Sequence, residues 1–507
     1  MSMGALGLDN IDMTHFPILL VMVPLFAAVF CAFLQRGILA WAIAFLASLA
    51  LPFLAIAMLL HVSENGPISY ALGGWAPPIG IEYRVDILSA FVLMLISIVG
   101  AVSMIYARKS VEKEIDSSRQ AWFYTMYLLC LSGLLGITIT NDAFNAFVFL
   151  EVSSLATYTM IALGKDRRCL VAAYQYLIMG TIGATLYVLG VGILYSVTGT
   201  LNLSDIAARL GEAFTTGGFE RSILAALAMI MVGLSLKVAL FPLHLWLPNA
   251  YAYAPSFATV FLAATATKVA IYLILRFFFS VFGKGLVFAD LPISEILLVL
   301  SIAAMFGATF VAIFQQNIKR MLAYSSVAQV GYITLGISLA NQAGLTGGIV
   351  HLFNHAIMKA ALFMALGAVF YRLSSVKIDD MAGIGRVMPL TMGVFVIAGL
   401  SIVGVPGTVG FLSKFYLAQG AFDNGMGWLV FLLVASSLLS IFYIGRVVEV
   451  AWFKAPVGTA VSAQSPPASM LVPMVLLALA TVYFGIETSG TVSMASQAAT
   501  FLLGEVK

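Results

Sequence analysis

Six charged side chains occur well inside segments that are otherwise long and apolar. A charged group near the middle of a bilayer costs at least about 2.5–3.5 kcal/mol on insertion scales. Such groups persist where they face a partner or a hydrated cavity, and they commonly mark ion pathways. The six are therefore candidates for ion-conducting chemistry. They are Glu151, Lys237, Lys268, Arg276, Lys359 and Lys414.

The first candidate pair joins the only deep carboxylate to a lysine beside a proline. Glu151 lies in FNAFVFLEVSSLATYTM, and Lys237 lies in GLSLKVALFPLHLWLP, five residues before Pro242. Proline removes a backbone hydrogen bond and breaks or kinks a helix. Freed backbone groups at membrane depth are tolerated only where protein or a water-filled cavity satisfies them. Lys237 is therefore a candidate for a hydrated, titrating site.

A second proline break occurs in LSIVGVPGTVGFLSKF. It places Pro406, between two glycines, eight residues before Lys414. Broken helices at corresponding positions of two halves indicate an internally repeated transporter. The two breaks are five predicted spans apart, which predicts repeat units made of helices 4–8 and helices 9–13.

Between the two breaks, HLFNHAIMKAALF sets His351, His355 and Lys359 at positions i, i+4 and i+8. This spacing forms one polar stripe along a helix face. Histidine titrates near neutral pH. The stripe is therefore interpreted as a proton relay, and Lys268, in AATATKVAIYLILR, extends the row between helix 7 and the stripe.

Each candidate also has a purely structural explanation. A lysine near a helix end can extend its ammonium group to the membrane interface, which would account for Lys237, Lys268 or Lys414 without any ion transport. For Arg276, two turns nearer to a helix end than Lys268, this is the favoured explanation. His351 and His355 can serve packing between helices.

The elements that carry these residues follow from composition. Of 507 residues, 62% are hydrophobic and 9% are charged, against roughly 25% charged residues in a soluble domain. Segments of about 20 apolar residues are long enough to cross the hydrocarbon core. We predict fourteen spans, with an ordered extramembrane loop from His61 to Asp86. The predicted spans are 15–34, 38–60, 87–106, 121–139, 143–163, 170–196, 223–246, 256–282, 293–314, 322–340, 344–371, 389–418, 427–452 and 468–488.

The predicted fold is an all-α polytopic membrane protein of about 14 transmembrane helices, with two inverted five-helix repeats that each contain a broken helix (helices 7 and 12). Residues 1–106 form N-terminal helices 1–3, and residues 468–507 form helix 14 and a tail. The repeats cover residues 121–282 and 293–452.

Lysine and arginine favour one set of loops, fifteen against five on the other side, among them Lys507. We call the lysine- and arginine-rich side the basic face. By the positive-inside rule it is cytoplasmic. The sequence thus predicts a multi-pass protein of the cell inner (cytoplasmic) membrane with both termini outside.

Composition also excludes several function classes. The net charge of +3 is too small to indicate nucleic acid as a partner. The three cysteines, Cys31, Cys130 and Cys169, are far apart and predict neither a metal site nor an iron–sulfur cluster. We expect no cofactor and no bound metal.

The sequence resembles the antiporter-like membrane subunits shared by Mrp-type cation/proton antiporters, respiratory complex I and group 4 membrane hydrogenases. The resemblance covers about helices 4 to 13. It rests on four stretches in this order: KVALFPLHLWLPNAYAYAPS, NIKRMLAYSSVAQVGY, HLFNHAIMKAALF and LSIVGVPGTVGFLSKFYL. The region around the second break is most similar to the D-type subunit of the multisubunit Mrp antiporters, whereas LPNAYAYAPS departs from that type.

The resemblance implies a role for each deep residue. A helix 5 glutamate pairs with a lysine on broken helix 7, and a helix 8 lysine and central His/Lys residues continue the row to a terminal group on broken helix 12. By position these are Glu151, Lys237, Lys268, the stripe of His351, His355 and Lys359, and Lys414.

The resemblance further implies partners and a function. The partners would be other membrane subunits of an Mrp-type complex, including a larger antiporter-like homologue and small hydrophobic subunits, within the lipid bilayer. The chain would be a non-enzymatic secondary transporter subunit that conducts protons, with Na⁺ as the exchanged cation. Because this interior offers one deep carboxylate, we expect any sodium site mainly in a partner.

Two alternatives stay open. One is a proton-pumping subunit of a complex I-like NADH:quinone oxidoreductase or membrane-bound hydrogenase, in which electron transfer in other chains supplies the energy. The other is a self-sufficient solute transporter, for which a substrate cavity is expected rather than a line of ionisable groups.

Overall fold

The computed structural model describes residues 13–34, 36–215, 218–456 and 464–504. Within these ranges 13 helices are long and apolar enough to cross a membrane, and there are 14 if the bent pair Asp379–Val387 and Pro389–Val403 counts as one span. The predicted all-α polytopic membrane fold is confirmed. Lys507 and both termini lie outside the described residues, so the side on which the termini lie stays a prediction.

The N-terminal part has three long helices and one small sheet. Helix α2 continues past the predicted boundary, and the predicted loop folds into an antiparallel hairpin in which Ile68 pairs with Val85. The hairpin satisfies backbone groups that a loop would leave to water. The bounds are α1 Phe16–Leu34, α2 Gly37–Asn65, β1 Ile68–Ala71, β2 Glu82–Val85 and α3 Ile87–Glu114.

The predicted first repeat contains a helix that sequence analysis missed. Helix α7 is too short to span, and its buried residues Leu203, Ile206 and Leu210 share one face, which packs on the bundle. The bounds are α4 Gln120–Ile139, α5 Ala143–Ala162, α6 Arg168–Thr198, α7 Leu203–Thr215, α8 Glu220–Val238, α9 Trp246–Tyr253 and α10 Ser256–Leu275.

The predicted second repeat and the C-terminal part follow. The residues after helix 14, predicted as a tail, contain a further helix, α20, that packs on α14. The bounds are α11 Ile293–Ala303, α12 Thr309–Ile313, α13 Ile318–Leu339, α14 Gln342–Leu373, α15 Ile384–Val387, α16 Pro389–Val403, α17 Val409–Asp423, α18 Gly427–Phe453, α19 Ala468–Ile486 and α20 Ser489–Leu503.

Both expected helix breaks are present. Helix α8 ends at Val238, and the chain turns at Ala239 with φ of 60° before α9 begins. Helix α16 ends at Val403, and the chain turns at Gly404 with φ of 90° before α17 begins. Each break lies in the fourth span of its predicted unit. Because five spans separate the breaks, the chain enters the second unit from the opposite membrane face, which makes the repeats inverted.

Helix α14 lies at the centre of the bundle. Every side chain from Ala343 to Val369 is buried. The helix packs against α3, α10, α13, α16, α17, α19 and α20. The predicted polar stripe is therefore surrounded by protein along its whole length.

Candidate functional site

The predicted pair of Glu151 and Lys237 forms in the structure. Helix α5 presents Glu151, and the last turn of α8 presents Lys237. The Lys237 Nζ lies 3.5 Å from Glu151 Oε1 and donates a 2.7 Å hydrogen bond to Ser154 Oγ. The Lys237 side chain is 6% exposed, whereas that of Glu151 is 25% exposed. Lys237 therefore does not reach an interface, and the snorkelling explanation for it is wrong.

The break beside Lys237 is closed by local hydrogen bonds. The Trp246 Nε1 donates to the Leu236 carbonyl at 2.9 Å, and the Leu240 amide donates to the Ser235 carbonyl at 3.0 Å. The Trp246 ring stacks on Tyr176 with centroids 3.8 Å apart. These contacts satisfy helix-end carbonyls that the bilayer could not, so the break holds Lys237 in a fixed position.

Lys268 is fully buried on α10. Its Nζ donates to the Ala263 carbonyl at 2.5 Å and to Thr267 Oγ1 at 3.2 Å, and both acceptors are neutral. A buried ammonium held only by neutral oxygens can release a proton without breaking an ion pair. A cavity of about 20 Å³, lined by Lys237, Ser154 and Ala266 among others, lies between this part of α10 and Lys237. That volume is sufficient for one water.

The central stripe is fully buried and only partly paired. The His351 Nδ1 lies 2.7 Å from Ser413 Oγ, and its Nε2 lies 3.0 Å from Gln329 Oε1. The His355 ring lies 6.1 Å from the His351 ring, and neither His355 nitrogen has a hydrogen-bond partner among the described residues. Since buried polar groups are normally hydrogen-bonded, His355 is an exception within the described part of the chain.

Lys359 ends the stripe on the side of α13. Its Nζ donates to the Leu322 carbonyl at 2.8 Å and to Ser325 Oγ at 2.9 Å. Helix α10, which carries Lys268, packs directly against α14, which carries the stripe.

Lys414 lies at the second break, as expected. Its Nζ donates to the carbonyls of Ile402 and Val403 at 2.8 and 3.1 Å, and it lies 4.8 Å from the centre of the Tyr332 ring. The carbonyls belong to the C-terminal end of α16, where the helix dipole favours a cation. The backbone of the broken helix thus supplies the negative partner that Glu151 supplies to Lys237.

Residues 140–440 match the family model described as NADH:quinone oxidoreductase/Mrp antiporter, TM. The chain belongs to this family. All seven candidate residues, from Glu151 to Lys414, lie within the matched residues 140–440.

Similar proteins carry names from both branches of the family. The N-type subunit of the NADH-quinone oxidoreductase of Desulforudis audaxviator (strain MP104C) is 40% identical over 497 residues, which cover 94% of this chain and 97% of that protein. The D-type subunit of the Na(+)/H(+) antiporter of Alkalihalophilus pseudofirmus is 32% identical over 432 residues, which cover 85% of each chain. A chain in the Mrp complex from Dietzia sp. DQ12-45-1b has a TM-score of 0.87 at 24% identity, covering 97% of this chain and 98% of that chain, and shares the fold.

One expectation for this family member is wrong. Arg276, expected to extend to the interface, is 8% exposed and forms an ion pair with Asp86, the residue that caps the N-terminus of α3. The Arg276 Nε also donates to the Tyr272 hydroxyl at 2.9 Å. The position of Arg276 near a helix end was predicted correctly, but no sequence pattern indicated that the Asp86 carboxylate, 190 residues earlier, lies next to its guanidinium.

Sequence reasoning also missed the neutral polar partners of the row in this family member. Ser154, Thr267, Ser325, Gln329 and Ser413 each bind one of the candidate side chains. Hydroxyl and amide residues are common in apolar helices, so only the three-dimensional contacts distinguish these five from packing residues.

Proposed function

We propose that this chain is the ion-translocating subunit of a multisubunit cation/proton antiporter, and that protons cross it along the row from Glu151 to Lys414. The observation that supports this proposal is that the helices carrying the row pack against one another, α8 on α10, α10 on α14 and α14 on α17. A carboxylate, three buried lysines, two histidines and a terminal lysine follow one another across α5, α8, α10, α14 and α17, within a fold shared with the Mrp complex.

The two ends of the row have different partners, which suits directional transfer. Glu151 can approach or leave Lys237, and separation of the charges would favour release of the Lys237 proton toward Lys268. The stripe then receives the proton through His355 and His351, with waters at the unpaired nitrogens. Lys414 forms the far end, where carbonyls hold an arriving charge.

The exposure of Glu151 supports assembly with other membrane subunits. In its span, Phe144, Val148 and Leu155 are 47%, 40% and 52% exposed on α5, and Glu151 lies among them. A carboxylate facing lipid at this depth is costly. We therefore propose that a partner chain covers this side of α5 in a complex of the bacterial cytoplasmic membrane, with the basic face cytoplasmic, and that any sodium site lies mainly in a partner.

The transport proposal is tested with the whole complex in inverted membrane vesicles, by recording proton flux when Na⁺ is added. Lys268→Met removes an ammonium group whose hydrogen-bond partners within the described ranges are neutral oxygens, and we expect at least a tenfold loss of flux. Lys284→Met is the matched control, because Lys284 is exposed and lies outside the row. Wild-type flux in Lys268→Met would overturn the proposal.

A second candidate function is supported by the 40% identical relative, which is named as a subunit of an NADH-quinone oxidoreductase. In that case electron transfer in other chains would drive the same proton row. Gentle detergent purification followed by mass spectrometry separates the two. Co-purification of small hydrophobic chains and a larger antiporter-like homologue supports the antiporter, whereas co-purifying iron–sulfur subunits would assign the chain to a redox-driven complex.

A further inference from the structure

Helix α18 carries none of the candidate ion-path residues, yet its inner face bears a stripe of buried hydroxyl groups. Ser436, Ser440 and Tyr443 are at most 1% exposed and lie at positions i, i+4 and i+7, which share one side of a helix. The opposite side is apolar, and Phe431 and Phe442 on it are 74% and 64% exposed. Because buried hydroxyls need hydrogen-bond partners, the stripe indicates polar contacts with the helices inside the bundle.

The first contact of this stripe fixes Tyr332 of α13. The Tyr332 hydroxyl donates to Ser436 Oγ at 2.9 Å, and Ser436 in turn donates to the Met305 carbonyl at 3.3 Å. The whole Tyr332 residue is 1% exposed. The hydroxyl end of its side chain is thus held by α18 and the backbone end by α13, so the ring between these two ends has a fixed position.

The fixed ring contacts two groups of the proposed path. The Lys414 Nζ lies 4.8 Å from the centre of the Tyr332 ring, and the centre of the His351 ring lies 5.6 Å from the same point. The face of an aromatic ring carries partial negative charge and attracts a cation, most strongly where water is excluded. The ring therefore attracts the Lys414 ammonium and keeps it beside the histidine that precedes it in the path.

The second contact of the stripe concerns Lys359. The Tyr443 hydroxyl lies 2.9 Å from Ser325 Oγ, and the same serine oxygen accepts the Lys359 ammonium at 2.9 Å. All three residues are fully buried. When Ser325 donates its single hydroxyl proton to Tyr443, the lone pairs of the serine oxygen are left for the ammonium. Tyr443 thus orients Ser325 toward Lys359.

The two contacts form a reciprocal pattern. On α13, Ser325 precedes Tyr332 by seven residues, and on α18, Ser436 precedes Tyr443 by the same number. Each tyrosine pairs with the serine of the other helix, so the two helices run antiparallel. Seven residues correspond to about 10.5 Å along a helix axis, which separates the two pairs. We call them the α13–α18 hydroxyl pairs, and one of them lies at each of the two lysines described above.

We propose that Tyr332 and Tyr443 are positioning residues of the ion path. Tyr332 holds the Lys414 ammonium against its ring, and Tyr443 orients Ser325 toward Lys359. This inference rests on the proposed function. A lysine ammonium stands on a flexible four-carbon stem, so contacts from neighbouring helices decide where the charge lies. The α13–α18 hydroxyl pairs fix both ammonium groups from a helix that lies outside the path.

The first test weakens the ring at position 332 while its shape is nearly kept. Phenylalanine and its mono-, di- and trifluorinated analogues replace Tyr332 in the complex, and proton flux is recorded in inverted vesicles that contain equal amounts of it. Each fluorine withdraws electron density from the ring face and weakens its attraction for a cation. We expect Tyr332→Phe to lose about two- to threefold, because the anchor to Ser436 is absent. Flux should then fall with each fluorine, to at least tenfold below wild type.

Tyr127 of α4 is the matched control for this series. It is also fully buried, and its hydroxyl donates to the Gly100 carbonyl at 3.1 Å. Its ring packs against those of Phe257 and Phe261, which carry no charge. The same substitutions at position 127 should leave flux unchanged. Equal flux for phenylalanine and trifluorophenylalanine at position 332 would overturn the role of the Tyr332 ring.

The second test asks whether Tyr443 acts through Ser325. We expect Tyr443→Phe and Ser325→Ala each to slow flux about three- to fivefold. The double variant should be no slower than Ser325→Ala alone, since a residue that acts through another has no effect once that other is removed. Ser325→Thr keeps the hydroxyl and should retain most of the flux. Losses that multiply in the double variant would overturn the role of Tyr443.

The outcomes separate this inference from the proposed function. If Lys268→Met abolishes flux while the fluorinated series at position 332 is flat and Tyr443→Phe keeps the wild-type rate, the row conducts and the positioning role is wrong. If Lys268→Met itself keeps the wild-type rate, the proposed function fails, and with it any role of the two tyrosines in transport.

Discussion

Replacing Glu151 by glutamine tests the coupling between the two charges at the first helix break. The side chain keeps its shape and loses its charge. Lys237 retains its 2.7 Å hydrogen bond to Ser154, so the lysine stays in position. The change therefore isolates electrostatics from packing.

The magnitude follows from the 3.5 Å separation of Lys237 Nζ and Glu151 Oε1. At an effective dielectric constant of 20, two unit charges at this distance attract by roughly 5 kcal/mol. Each 1.4 kcal/mol changes an equilibrium constant tenfold, so this attraction shifts the equilibrium between the associated and the separated pair by about three powers of ten. Because Glu151 is 25% exposed, solvent or a partner reduces the effect, and we expect a loss of transport of at least tenfold.

The assay is Na⁺-driven proton flux in inverted vesicles that contain equal amounts of the complex. Glu151→Asp keeps the charge on a shorter side chain and should recover part of the flux. Glu220→Gln is the matched control, since Glu220 is exposed at the opposite end of α8. Wild-type flux in Glu151→Gln, with a defect in Glu151→Asp, would show that shape rather than charge matters and would refute the switchable pair.

Three further predictions concern stability and packing. Arg276→Met leaves Asp86 buried without its cation and should lower the free energy of unfolding by about 3–5 kcal/mol. Adding Asp86→Asn should recover part of this loss, and thermal unfolding in detergent measures both effects. A single variant as stable as wild type would contradict the prediction. Burial acts to raise the pKa of Glu82, but hydrogen bonds from Ser69, Asn141 and Asn202 lower this pKa overall. The ionised carboxylate therefore stabilises the native state at pH values above the pKa of the unfolded chain, about 4.3. That stability is lost as the pH falls through the lower pKa of the folded state. Melting temperatures from pH 7 to pH 3 should therefore fall more in wild type than in Glu82→Gln, and parallel curves would count against it. Gly233 lies against α6, where an added Cβ would be 2.9 Å from the Tyr187 amide nitrogen. Gly233→Leu should therefore push α8 away from α6, lower the free energy of unfolding by about 1–3 kcal/mol and abolish proton flux, although no charged group is changed. Normal flux in this variant would show that close packing of α8 on α6 is not required for transport.

The spans and both breaks were predictable because each depends on local chemistry. Apolar length sets a span, and Pro242 and Pro406 remove backbone donors wherever they lie. The hairpin after α2 and the short helices α7 and α20 were not predicted. Their sequences are polar and short, and their stability comes from packing on the bundle, as with the buried face of Leu203, Ile206 and Leu210.

The site was predictable to the level of its ionisable residues. A lysine at membrane depth is conspicuous in sequence, so Lys237, Lys268 and Lys359 could be singled out. Their partners could not, because Ser154 and Ser325 lie on other helices and resemble any other serine. The same limit explains Arg276, whose partner Asp86 belongs to a helix far away in the chain.

The hydrogen bonds of Lys414 give the row two unequal terminals. The counter-charge at one end is the carboxylate of Glu151, on a side chain with rotatable bonds that is 25% exposed. At the other end it is a pair of carbonyls at Ile402 and Val403, which cannot be protonated at any ordinary pH and are fixed in the backbone. In the proposed path, the Glu151 side chain can therefore change its distance from Lys237, whereas the carbonyls beside Lys414 keep a constant position. The two ends of the proposed path therefore differ in kind, so removing the counter-charge by a single side-chain substitution is possible at Lys237 and not at Lys414.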